Sequence, residues 1–146
     1  MRVRYAAPLM VVGSFACTEG PRLDPCNPID PVLASSAFVV VVEPTPGMRI
    51  SSPLQVRGCS RTHESNVVWV LRSHTGAILA SGHTSGGGFA GAAPFSFSAS
   101  FSVSAPDVGR LEVFERDESD GEGFPGGRSV VPVVLLPGQE ESAGAP

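Results

Sequence analysis

Apolar and polar residues alternate strictly along residues 95–103: Phe95, Phe97, Ala99, Phe101 and Val103 are separated by Ser96, Ser98, Ser100 and Ser102, with Ser104 following. A period of two gives an extended strand one apolar and one hydroxylic face, and no helix accommodates it. Six further runs rich in Val, Phe and Leu, bounded by Gly, Pro, Ser or Asp, predict strands at 38–43, 54–58, 66–73, 77–82, 110–116 and 129–136. Short strands punctuated by turn residues are the pattern of an antiparallel all-β sandwich. The strand at 66–73 sets Val67, Trp69 and Leu71 on one face, which assigns the lone Trp to the core.

The connections agree. His74-Thr75-Gly76 is short enough for a hairpin, and Pro44-Thr45-Pro46-Gly47 makes a rigid turn after the first strand. Residues 83–94, HTSGGGFAGAAP, are so rich in glycine that a mobile surface loop is expected. Pro132 has no N–H for a ladder, so the last strand should be an edge or carry a bulge. Residues 17–36 hold Pro21, Pro25, Pro28 and Pro31 among small and polar neighbours and read as a stiff, extended tether. The polar stretch 137–146, PGQEESAGAP, reads as a disordered tail, leaving 37–136 as the one folded domain.

Hydrophobic residues make up 42% and charged residues 16% of the 146, enough for one modest core. Seventeen Gly and fourteen Pro exclude a helical bundle, because in a helix interior they cost roughly 1 and 3 kcal/mol each relative to Ala. All ten basic residues are Arg, against fourteen acids, and the net charge of −4 becomes −6 if Arg2 and Arg4 leave with a leader. So acidic a chain lacks the electrostatic footprint of a nucleic-acid binder.

Such a leader, a signal peptide, is legible in residues 1–16. Arg2 and Arg4 supply a positive start, residues 5–12 an apolar stretch, and Gly13, Ser14 and Ala16 are small residues ahead of Cys17. The apolar stretch falls short of the ~20 residues of a permanent membrane span. Ser14-Phe15-Ala16-Cys17 resembles a bacterial lipobox, which implies lipidation of Cys17 as the mature N-terminus; Ser14-x-Ala16 also suits ordinary cleavage and secretion. An exported chain with three cysteines keeps one unpaired, whereas lipidation of Cys17 leaves Cys26 and Cys59 either as a bridge or as two thiols. A bridge would close a loop of about thirty residues, worth a few kcal/mol.

Candidate chemistry is sparse. His63, His74 and His83 sit in or beside turns at no metal-binding spacing and read as surface residues. No G-x-S-x-G elbow marks a nucleophilic serine. Glu64 reads as a structural residue, capping a turn or holding Arg57 or Arg61. Asp117, Asp120 and Glu122 offer hard oxygen ligands and are weak calcium candidates. Aligning Gly121 with the sixth position of an EF-hand loop puts Arg116 where the first carboxylate belongs, and a turn with solvated acids is the plainer expectation. Val68 and Val70 oppose Trp69, and Phe114 opposes Val113, so two strands are apolar on both faces. If the third, sixth and seventh strands share a sheet, as in an immunoglobulin-like sandwich, Val68, Val70 and Phe114 form an exposed patch for a partner or a surface covered by the N-terminal segment or the glycine loop.

An ordered series runs through the folded part: Val42-Glu43-Pro44-x-Pro46-Gly47, Ile50-x-Ser52-Pro53-Leu54-x-Val56-x-Gly58, Glu64-x-x-Val67-x-Trp69-x-Leu71 and Gly76-x-x-Leu79-Ala80. It continues with Gly109-x-Leu111-x-Val113-Phe114-Glu115, Asp120-Gly121 and Val131-Pro132-Val133. This series, about residues 38–136, resembles the immunoglobulin-like domain of bacterial spore germination. The resemblance implies a sandwich of about seven strands outside the cytoplasm, serving protein interaction or ligand recognition, with no catalytic residue and no cofactor to carry over. The chain is then expected to be a non-enzymatic envelope lipoprotein, held at a membrane by its lipid alone, that binds an envelope protein or cell-wall component in connection with sporulation or germination. The alternative is a small-ligand or calcium-dependent carbohydrate-binding module built on the acidic run and the glycine loop.

Overall fold

The computed structural model describes residues 21–116 and 126–138. Within them a short helix, α1 (Pro31–Ala34), precedes eight strands: β1 (Phe38–Glu43), β2 (Arg49–Ile50), β3 (Leu54–Arg61), β4 (Asn66–Arg72), β5 (Ile78–Ser85), β6 (Ala93–Ala99), β7 (Asp107–Phe114) and β8 (Arg128–Leu135). They form two sheets, ordered β1-β3-β6 and β2-β8-β7-β4-β5. The chain is an all-β, immunoglobulin-like sandwich, with the third, sixth and seventh expected strands sharing a sheet as β4, β7 and β8.

The inner faces meet as period-two strands must. Val39, Leu54, Val56, Phe95 and Ala99 from the smaller sheet pack on Val67, Trp69, Leu71, Leu111, Val113, Val131, Val133 and Leu135 from the larger. Trp69 stacks on Phe97 with ring centroids 4.6 Å apart. Gly82 also lies against the Trp69 ring, where a Cβ would stand only 2.6 Å away.

Eight strands replace the seven expected, and one pairing is parallel rather than antiparallel. After the turn at Pro44–Gly47 the chain leaves the smaller sheet and lays β2 along β8, with Arg49 opposite Val134 and Ile50 opposite Leu135. Hydrogen bonds from Gly47 N to Pro132 O (2.8 Å) and from Val134 N to Met48 O (2.9 Å) bind that crossing. Two residues are too few to show alternation. Because β2 reaches only Val134 and Leu135, β8 is a sheet edge at Pro132, where its missing N–H does no harm.

Several boundaries shift for identifiable reasons. β3 runs past Gly58 to Arg61 because β1 and β6 pair with it on both sides. The alternation of 95–103 persists, with Phe101 buried, but the ladder stops at Ala99 because its partner β3 begins at Leu54. Phe101 N then donates to Ser52 Oγ at 3.0 Å. β7 begins at Asp107 rather than 110, since Gly109 is no turn: it makes room for Leu135, whose Cδ1 would lie 2.7 Å from an added Cβ.

The expected mobile loop is an ordered connection. Residues 83–85 belong to β5 and 93–94 to β6. Between them Gly86 N donates to Ser65 O and Thr62 N to Gly87 O, both at 2.9 Å. A Cβ at Gly87 would lie 2.3 Å from Ser60 O, so glycine serves close approach here rather than looseness.

Candidate functional site

The two outer faces of the sandwich have different fates. On the smaller sheet, β3 turns Arg57, Cys59 and Arg61 outward, and each takes hold of the N-terminal arm. Cys59 is disulfide-bonded to Cys26, with Cα atoms 5.0 Å apart. The Arg57 guanidinium donates to Leu23 O at 3.0 Å and pairs with Glu43 at 3.6 Å. Arg61 Nη1 donates to Ala34 O at 3.0 Å. From Pro21 onward the expected extended tether is therefore a strap: it turns at Asp24, whose carboxylate accepts from Cys26 N, and buries Pro25. Where the strap passes β5 and β6 it leaves a cleft of about 380 Å³ whose lining mixes polar residues such as Asp24, Arg57 and Ser96 with Pro25, Pro94 and Phe95.

Among the described residues, no segment is strapped across the larger sheet. Its register brings Val68 opposite Phe114 and His83, and Val70 opposite Glu112 and Ser81. Glu112 lies opposite Val130, Arg110 opposite Pro132, and Val108 opposite Val134. Val68, Val70 and Phe114 thus come together half-buried, joined by exposed Val108 and Val130. Glu112 sits among them and pairs with Arg72 (3.8 Å) and Arg128 (3.4 Å). Arg128 also lies over the Phe114 ring, 4.9 Å from its centroid. Arg110, opposite Arg72, and Arg49, opposite Val134, complete an arginine frame around the apolar row.

Of the two segments expected to be able to cover this row, the strap is bound to the opposite sheet and the glycine loop closes one end of the sandwich on Ser60, Thr62 and Ser65. Sequence reasoning found Val68, Val70 and Phe114 through their two-faced strands. It missed Val130, although Val130, Pro132 and Val134 likewise oppose Val131, Val133 and Leu135. It also missed the arginines, which only register aligns.

The remaining candidates stand apart. His74 Nδ1 lies 2.5 Å from Asp107 Oδ1 in the β4–β5 turn, His63 N donates to Glu115 Oε1, and His83 is exposed on β5. Arg57 and Arg61, offered above as partners of Glu64, hold the strap instead. Cys17, Asp117, Asp120 and Glu122 lie outside the described residues, as does the tail from residue 139. Among the described residues no group of three or more His, Cys, Asp or Glu is placed to hold a metal ion, and no helix is long and apolar enough to cross a membrane.

No curated protein and no solved structure matches the chain. A family model does: the immunoglobulin-like domain of bacterial spore germination matches residues 38–122, more than half of the chain, from the first residue of β1 to past the end of β7. β8 lies beyond the matched residues yet pairs along the whole of β7. With its sandwich, its core and its series of turn residues, the chain belongs to the family of immunoglobulin-like domains of bacterial spore germination.

Proposed function

We propose that this chain is a non-enzymatic, extracytoplasmic binding module, anchored by a lipid on Cys17, whose larger sheet docks an acidic envelope protein during sporulation or germination. The observation that carries this reading is the row of Val68, Val70, Phe114 and Val130 within a frame of Arg49, Arg72, Arg110 and Arg128. Apolar anchors ringed by arginine have the composition of an interface core and its rim. Among the described residues of this face four of the chain's ten arginines gather around one acid, Glu112, and that local excess favours a partner with opposite charge.

Export is supported by the Cys26–Cys59 bridge, since disulfides persist in oxidising compartments, and by the leader-like residues 1–16 ending at a lipobox-like Cys17. The non-enzymatic and germination-linked parts rest on the family.

A photo-crosslinking residue placed at position 70 of the full chain, in the producing cell, tests the docking face. A discrete protein adduct that disappears when Arg72 and Arg110 are both changed to Glu supports it. An adduct insensitive to those changes, crosslinking to wall glycan alone, or no adduct overturns it.

A further inference from the structure

We propose that the strap side of the domain rests on a lipid bilayer, with Leu23, Val32 and Phe89 entering the membrane surface; this rests on the lipidation of Cys17 proposed above. α1 is firmly held yet buries none of its residues. Asp30 Oδ1 accepts from Val32 N at 2.8 Å, the Ser35 and Ser36 hydroxyls donate to Val32 O and Leu33 O, and Arg61 donates to Ala34 O. Its sequence, Pro-Val-Leu-Ala, is apolar throughout, but Val32 is 80% and Leu33 40% exposed. Fixing apolar side chains in water brings the fold no hydrophobic gain unless something covers them.

Phe89 repeats the arrangement. It is 85% exposed on a turn closed by a hydrogen bond from Gly91 N to Gly88 O at 3.0 Å. The flank of that turn is tied down, since Gly87 O accepts from both Thr62 N and Thr62 Oγ1. Both segments are anchored on Arg61, whose side chain holds Ala34 O at the end of α1 and whose backbone bridges Gly87. Leu23, 80% exposed, is held through its carbonyl by Arg57, on the same outward row of β3.

The length of chain before the strap names the occupant. Cys17 precedes Leu23 by six residues, at most about 21 Å of fully extended chain. A lipid on Cys17 therefore brings the bilayer within reach of these side chains, and the cross-link at Cys26 prevents the strap from paying out further. Charged groups beside them are engaged locally, Asp24 and Asp30 with backbone N–H groups and Arg57 and Arg61 with carbonyls. The sheet bearing Val68 and Val70 faces the other way, open to a partner.

The test uses the full exported chain carrying Phe89→Trp, reconstituted in vesicles of phosphatidylethanolamine and phosphatidylglycerol, with intact mass reporting the state of Cys17. Subtracting the wild-type spectrum removes buried Trp69. The indole at position 89 should shift to the blue and lose most of its emission when the lipids are brominated on their acyl chains, and Val32→Trp should respond alike. Lipid present by mass, with both indoles emitting as in water and unquenched, overturns the proposal while the anchor stands. A mass without acyl chains overturns the anchor reading and this placement together.

Discussion

Changing Cys26 to Ser should release the strap while the sandwich stays folded, and lower global stability by up to about 4 kcal/mol. The bridge joins residues 33 apart. Closing a loop of that size withholds about 13 cal/mol/K from the unfolded chain, which is about 4 kcal/mol at 25 °C. For a domain of roughly a hundred residues each kcal/mol moves the midpoint by about 4 °C, so Tm should fall by up to about 15 °C. Without the bridge, Arg57 and Arg61 still offer the strap one carbonyl bond each, of about 1 kcal/mol. Ordering a residue costs about 1–2 kcal/mol, so bonds of that size fall far short of holding residues 21–36 in place. The Ser variant leaves every residue of β3, Cys59 included, unchanged, so the sandwich itself is not altered. Guanidinium unfolding followed by Trp69 fluorescence reads the global term. Limited chymotrypsin digestion reads the strap, with cleavage after Leu33 leaving a fragment that retains all eight strands. An unchanged midpoint, or a strap that still resists cleavage under reducing conditions, would refute the reasoning.

Three further outcomes are expected. Leu111→Ala empties a fully buried position on β7 and should cost about 2–5 kcal/mol by denaturant unfolding. Gly82→Val drives a side chain into the Trp69 ring, 2.6 Å from the nearest added carbon, and should abolish the near-ultraviolet dichroism of the Trp69–Phe97 stack at a cost of about 1–3 kcal/mol. Glu112→Gln removes partly exposed pairs with Arg72 and Arg128, and should cost less than about 1 kcal/mol at low salt. That difference should vanish in concentrated salt if it is a screened surface term.

Much of the fold was legible from residues that report on their own backbone. The serine-spaced run 95–103 and the Val67, Trp69, Leu71 face needed nothing but the two-residue period of a strand, and both face inward as read. The misreadings share a cause. Gly109 looked like a break and Gly86 to Gly88 like slack, because the groups that crowd them, the Leu135, Ser60 and Ser65 side chains and the Ser60 and Ala93 backbone, lie elsewhere in the chain. The strap was hidden behind cysteine parity, which allowed either a bridge or two free thiols until β3 placed Cys59 beside Cys26.

The candidate face divides along the same line. Apolar residues on both sides of a strand are a local property, so Val68, Val70 and Phe114 stood out in the sequence by itself, as did the sandwich class and the inward face of each long strand. Arg49, Arg72, Arg110 and Arg128 come from four different strands and acquire a common surface only through cross-strand register. Which outer face the N-terminal arm covers was likewise decided by tertiary structure, through Arg57, Cys59 and Arg61. Periodicity is written within each segment, whereas register and the choice of face arise from pairings between segments far apart in the chain.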